Sequence, residues 1–219
     1  MTILSPAHAS YGILRRAVQA GALALALAAP AAAKPLKLVA LGDSLTAGYG
    51  LPAGQAFPDV LARALKAKGW DVEVVNAGVS GDTAADGLAR FDWSVPEDAN
   101  AIIVELGAND MLRGADPAAT EITLSHIVAK THDAHMATLL AGMVAAPNYG
   151  EDYKRRFDAI YPELAQKFGV TLYPFFLEGV AGNRTLQLGD GLHPNRAGVE
   201  RIVEGILPSV EAVLAQAKQ

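Results

Sequence analysis

Five short apolar runs, Leu36–Leu41, Val72–Val75, Ala101–Leu106, Ala137–Gly142 and Val170–Tyr173, are separated by longer segments whose apolar residues recur at helical spacing. Runs of this length suit strands, and a repeated strand–helix alternation is the pattern of βαβ units around a parallel sheet. The runs lack polar alternation, so helices should cover both faces of that sheet. The expected architecture is a three-layer α/β/α sandwich of flavodoxin-like type, with a central parallel sheet of about five strands. A chain of 219 residues with 51% hydrophobic residues can bury a sizeable core in one domain.

The helical segments carry their own punctuation. Phe57, Val60, Leu61, Ala64 and Leu65 lie on one helical face, and Gly69 closes that segment where a C-terminal cap belongs. Pro117 to about Asp133 and Tyr153 to Phe168 read as longer helices, with Gly169 ending the second. Asp82 to Arg90 reads as a shorter one. Val199, Ile202, Val203, Ile206, Val210 and Val213 mark a C-terminal helix that Pro208 is expected to kink or interrupt.

Residues 1–33 follow a different logic. Arg15 and Arg16 precede the Ala- and Leu-rich stretch Ala17 to Pro30, and Ala31-Ala32-Ala33 supplies small residues before Lys34. Charged region, apolar region and small-residue site in that order form the pattern of a cleaved secretory signal, with cleavage near Ala33 and a domain spanning 34–219. The apolar run is short for a transmembrane helix, so the mature chain should be exported, periplasmic or secreted, without stable membrane insertion. The residues after the twin arginine favour the general export route. Loss of two arginines takes the net charge from -5 to -7. An acidic chain with no Lys/Arg run argues against a nucleic-acid partner. The absence of cysteine excludes disulfides, thiolate catalysis and Cys-ligated metals.

Ligands of such sheets sit outside the carboxyl ends of the strands. There the sequence places Ser44 in "GDSLTAGYG", Gly81 in "AGVSGDT", Asn109 in "GANDM", and Asp190 with His193 in "GDGLHPN", where Pro194 falls near the first turn of the C-terminal helix. Each has a structural reading. Ser44 can cap a helix, Asn109 or Asp110 can cap a segment beginning at Met111, and Gly81 can make a tight turn. His193 can be a surface histidine and Asp190 a turn residue. Together they also form a candidate nucleophile, a base with a nearby carboxylate, and two possible oxyanion donors.

These four blocks, in this order, resemble the SGNH (GDSL-type) hydrolase family over almost the whole segment after residue 33. "NYG" at 148–150, "AIYPELA" at 159–165 and "PFF" at 174–176 make the chain most similar to the exported bacterial thioesterase/lysophospholipase and arylesterase group. The resemblance implies that Ser44 is the nucleophile, that Asp190 and His193 complete a triad, and that Gly81 and Asn109 join the Ser44 N–H in an oxyanion hole. "AAPN" at 145–148 departs from the family, where a second proline is expected before the asparagine, which touches only the shape of a substrate loop.

The implied chemistry is hydrolysis of carboxylic ester or thioester bonds of apolar acyl or aryl substrates, lipid-like ones included, through an acyl-serine, with no metal or organic cofactor. A carbohydrate O-deacetylase and a noncatalytic domain of the same fold are the alternatives. Met111, Leu112 and Tyr149 are candidates for the acyl lining, although core packing accounts for them equally. Asp43 and Asp110 are expected to hold turns. His132 and His135 share a helical face that could bind metal, but with His126 they read better as solvated.

Overall fold

All five expected strands form, and every pair of neighbours in the sheet runs parallel. The computed structural model describes residues 34–218; the segment read as a secretory signal lies outside the described residues. The strands are β1 (Leu36–Gly42), β2 (Val72–Gly78), β3 (Ala101–Glu105), β4 (Ala137–Ala141) and β5 (Thr171–Tyr173), in the spatial order β2-β1-β3-β4-β5. After β1 the chain builds to one side with β2, then returns past β1 to build β3, β4 and β5 on the other. The reversal between β1 and β3 is the switch point at which doubly wound sheets open a crevice.

The described helices are α1 (Ser44–Ala47), α2 (Phe57–Ala67), α3 (Ala84–Ala89), α4 (Phe91–Ser94), α5 (Ala108–Leu112), α6 (Pro117–Asp133), α7 (Glu151–Phe168) and α8 (Arg196–Ala217). Right-handed crossovers in opposite directions put their helices on opposite faces. Accordingly α2 packs on α8, while α6 packs on α3 and α7. Between them Leu38–Leu41 of β1, Ala101–Val104 of β3 and Leu139–Ala141 of β4 are fully buried, and Phe57 of α2 meets Phe176 edge-on. The expectation of two covered faces holds for these three strands. The edge strands β2 and β5 keep partly exposed residues, because each lacks a neighbour on one side.

Of the kink or interruption expected at Pro208, the interruption does not occur: α8 is one helix from Arg196 to Ala217. Pro208 and Glu204 are both exposed, so the Glu204 carbonyl that loses its backbone donor faces water. Pro162 sits exposed inside α7 in the same way. His132 and His135 do not share a helical face either, because α6 ends at Asp133 and His135 follows in a turn at φ 56°. His126, His132 and His135 do not gather into a metal-binding group among the described residues.

Candidate active site

β1 ends level with both neighbours: Gly42 pairs with Gly78 of β2 and with Glu105 of β3. A Cβ on Gly42 would come within 2.1 Å of Thr46 Oγ1 and 2.5 Å of Glu105 Oε2, so the turn leaving β1 closes only around glycine. The next residue, Asp43, is the N-cap of α1, its Oδ1 accepting the Leu45 N–H at 2.9 Å. The cap reading of Ser44 is therefore corrected by one position. With Asp43 as cap, Ser44 becomes the first helical residue and its hydroxyl is left for other partners.

That hydroxyl meets His193. Ser44 Oγ lies 2.9 Å from His193 Nε2, and His193 Nδ1 lies 2.7 Å from Asp190 Oδ2. The second Asp190 oxygen accepts the backbone N–H groups of Leu192 (2.9 Å) and His193 (3.1 Å). These bonds, with the imidazole partner, pull the Asp190 carboxyl down to about 2. An ionised carboxylate only accepts, so Nδ1 must carry the proton, and a neutral His193 then turns its Nε2 lone pair toward the serine. The sequence brought Asp190 and His193 to one loop; the loop is closed by Leu188 N–H to the His193 carbonyl (2.8 Å) and Asn195 N–H to the Leu186 carbonyl (2.9 Å). Pro194 stands outside the first turn of α8, whose N-cap is Asn195, accepting from the Gly198 N–H at 3.1 Å.

The two candidate oxyanion donors flank Ser44 from β2 and β3. Gly81 adopts φ 91°, a backbone region that side chains disfavour. Its carbonyl accepts from Arg113 Nη2 at 2.8 Å. Among the described residues, neither its N–H nor that of Ser44 donates to a protein acceptor. Asn109 does not cap a segment starting at Met111, nor does Asp110: α5 begins at Ala108 with Gly107 as N-cap at φ 110°. Asn109 instead directs its amide into the site, donating to Asp43 Oδ2 (3.0 Å) and to the Asp82 carbonyl (2.9 Å). Asp43 holds the local turn as expected, whereas the Asp110 side chain joins distant elements instead, accepting the Ala84 N–H at 2.8 Å and the Thr120 hydroxyl at 3.3 Å.

Behind the Ser44 turn Asp43 has a second carboxyl beside it, Glu105, which the sequence reading passed over. Glu105 is fully buried; its Oε2 accepts the Thr46 hydroxyl at 2.6 Å and the Asp43 N–H at 3.4 Å. Burial, and then the nearby Asp43 carboxyl, hold the Glu105 carboxyl well above the usual carboxylate range. Asp43 is 1% exposed, and burial raises it to about 6, against its hydrogen bond from Leu45 and the nearby His193. Arg90 was missed as well: buried, it pairs through Nε with Asp82 Oδ2 and donates from Nη2 to the Gly42 carbonyl at 2.9 Å. Tyr49 was also missed, and its ring lies 4.5 Å from the His193 ring. One signal was available, since Glu105 is a charged residue ending a wholly apolar strand.

The sequence profile of the GDSL-like lipase/acylhydrolase family matches residues 40–201, a span that holds Ser44, Gly81, Asn109, Asp190 and His193. The chain belongs to that family. Among GDSL-like acylhydrolases it is 39% identical to the esterase TesA of Pseudomonas aeruginosa, over 92% of this chain and all of that one. It is 43% identical to thioesterase 1/protease 1/lysophospholipase L1 of Escherichia coli, over 73% of this chain and 76% of that protein. The crystal structure of AlinE4, an SGNH-hydrolase family esterase, superposes with a TM-score of 0.70 at 43% identity, covering 84% of this chain and 99% of AlinE4. The parallel five-stranded sheet is thus that of an SGNH hydrolase, and the chain is a hydrolase of the esterase/thioesterase type.

Proposed function

We propose that the enzyme cleaves esters and thioesters of apolar acyl groups through an acyl-serine formed on Ser44, with His193 as base and Asp190 as its orienting partner. The observation that carries this is the unbroken chain Asp190–His193–Ser44 at 2.7 and 2.9 Å. His193 Nε2 takes the Ser44 proton as Oγ attacks the acyl carbon, and the ionised Asp190 stabilises the imidazolium that forms. The tetrahedral oxygen receives the N–H groups of Ser44 and Gly81 and the Asn109 amide, each such donor worth roughly 10²–10³ in rate. Collapse breaks the bond to the leaving group, and His193 returns the proton to the departing alkoxide or thiolate. A water then gives its proton to His193 and its hydroxyl to the acyl carbon, which releases the carboxylic acid and restores Ser44.

The test is labelling with a fluorophosphonate probe and peptide mapping of the adduct. Label on Ser44, lost in Ser44→Ala, is the expected outcome; label that persists in the variant, or none on folded wild type, rejects the assignment.

The enzyme works, on this reading, after export. Support comes from the charged, apolar and small-residue order of residues 1–33. N-terminal sequencing of protein expressed from the full gene should find the mature chain starting near Lys34, and an intact Met1 on exported protein would refute it.

A further inference from the structure

An amide nitrogen carries two hydrogens, and both of those on Asn109 are engaged: one by Asp43 Oδ2 at 3.0 Å, the other by the Asp82 carbonyl at 2.9 Å. With Asn109 serving the oxyanion, a role taken over from the proposed function and the premise of this inference, one of these bonds must be given up during the reaction. The two are unequal. The bond to Asp43 is charge-assisted, and charge-assisted bonds are roughly twice as strong as neutral ones. Asp43 is itself fixed, since its other oxygen takes the Leu45 N–H and its backbone N–H points at Glu105. The bond to Asp82 joins neutral partners.

We propose that Asp43 is a positioning residue for Asn109: its carboxylate holds one N–H of the amide in place. The other N–H, lodged on the Asp82 carbonyl in the resting enzyme, passes to the substrate oxygen as that oxygen becomes charged. The exchange selects for the transition state. A ground-state ester carbonyl is no better an acceptor than the peptide carbonyl of Asp82, so substrate binding alone gains nothing from the swap. An oxyanion is a far better acceptor, so the gain appears only as the tetrahedral species forms, which is the condition for raising kcat instead of lowering KM.

The surroundings keep Asp43 able to play this part. Two adjacent buried carboxyls do not both ionise readily, and Glu105, the more deeply buried, holds its proton and leaves the charge on Asp43. The Asp82 end is fixed too, because the Asp82 side chain is paired with Arg90, which also grips the Gly42 carbonyl. The amide is thus suspended between an anchored acceptor it keeps and an anchored acceptor it can leave.

The test is a double-mutant cycle on an aryl butyrate ester, with kcat and KM measured for wild type, Asp43→Asn, Asn109→Ala and the double variant. Asn109→Ala should lower kcat by about 10²-fold or more. Asp43→Asn should lower kcat by at least about tenfold with KM within about twofold, and the double variant should be no slower than Asn109→Ala within about twofold, because Asp43 acts through Asn109. Wild-type kcat in Asp43→Asn, or losses that multiply in the double variant, would overturn the proposal. Should Asp43→Asn fail to fold, Asp43→Ser keeps an oxygen for the Leu45 N–H, cannot reach Asn109, and carries the same cycle. Fluorophosphonate labelling of wild type separates the two levels: no Ser44 adduct rejects the serine mechanism, whereas a normal adduct beside a fast Asp43→Asn enzyme rejects only the role of Asp43.

Discussion

Glu105 sits where a carboxyl is costly, fully buried at the end of β3, with its Oε1 lacking any hydrogen-bond partner among the described residues. Folding raises its proton affinity, so between the unfolded value of 4.5 and the raised folded value the native state binds more protons than the unfolded one. Stability then falls as pH rises through that window, by up to about 1.4 kcal/mol per pH unit. Asp43, raised from 3.8 to about 6, adds a slope of the same sign over its own window. Glu105→Gln keeps the shape and removes the titration. Urea denaturation at pH 5, 6.5 and 8 should therefore show the variant gaining on wild type as pH rises, and parallel curves would contradict a protonated Glu105. The sequence marked Glu105 only as a charge ending an apolar strand and could not show its burial beside Asp43, because whether a carboxylate at a strand end meets solvent depends on what folds over it, here α1 and the Ser44 turn. Ser44, Asp190 and His193 were legible because their reactive groups lie within short local motifs at strand and loop ends. The orientation of the Asn109 amide was not, since its acceptors stand 66 and 27 residues away in the chain.

At the level of elements, the site depends on loops from β1, β2 and β3 being tied to one another. Arg90 is one such tie: following α3, it joins Asp82 of the Gly81 loop to the Gly42 carbonyl at the end of β1 and to Ser94 of α4. The Arg90 and Asp82 side chains are only 7% and 12% exposed, so removing the guanidinium leaves a nearly buried carboxylate without its partner, while the Gly42 carbonyl keeps the Val79 N–H at 3.0 Å. Breaking such a pair from one side costs roughly 3–5 kcal/mol. Arg90→Met should lose about that much in urea denaturation, and, on the proposed mechanism, its kcat should fall while KM changes little, because Asp82 and Gly81 lose their anchorage to the Ser44 turn. Full retention of kcat in the folded variant would show that the loop holds its position without Arg90. The five strands were readable from apolar runs and punctuation, although β2 runs three residues beyond the expected Val72–Val75 and the spatial order of the strands was not read. The helix boundaries were read less well where caps decide them: Asp43 takes the cap that Ser44 was expected to make, and Gly107 replaces both Asn109 and Asp110. Pro208 shows the same limit, since a proline is tolerated wherever the orphaned carbonyl of the preceding turn faces water.

Across the whole molecule, the exposed large apolar side chains are not spread evenly. Among the described residues Tyr49, Val79, Leu112, Val144 and Leu192 all lie on segments following the carboxyl ends of the strands or beside His193, while Trp93 and Ile122 lie elsewhere. Of the three candidate lining residues, Leu112 is exposed, Tyr149 is half-buried with its hydroxyl on the Leu112 carbonyl at 3.1 Å, and Met111 packs against the core. Leu112 and Tyr149 therefore suit a substrate surface, and Met111 suits packing. An acyl chain laid against such a collar gains about 0.8 kcal/mol for each methylene removed from water. That corresponds to a rise in kcat/KM of up to about fourfold per methylene, continuing until the chain outruns the collar. A series of aryl esters from acetyl to dodecanoyl should show this rise, and Leu112→Ser should flatten it while leaving the acetyl ester nearly unchanged, because the acetyl group is too short to reach the collar. Equal rates across the series, or a preference for acetylated sugars over aryl esters, would move the substrate class from apolar acyl groups to carbohydrate O-deacetylation.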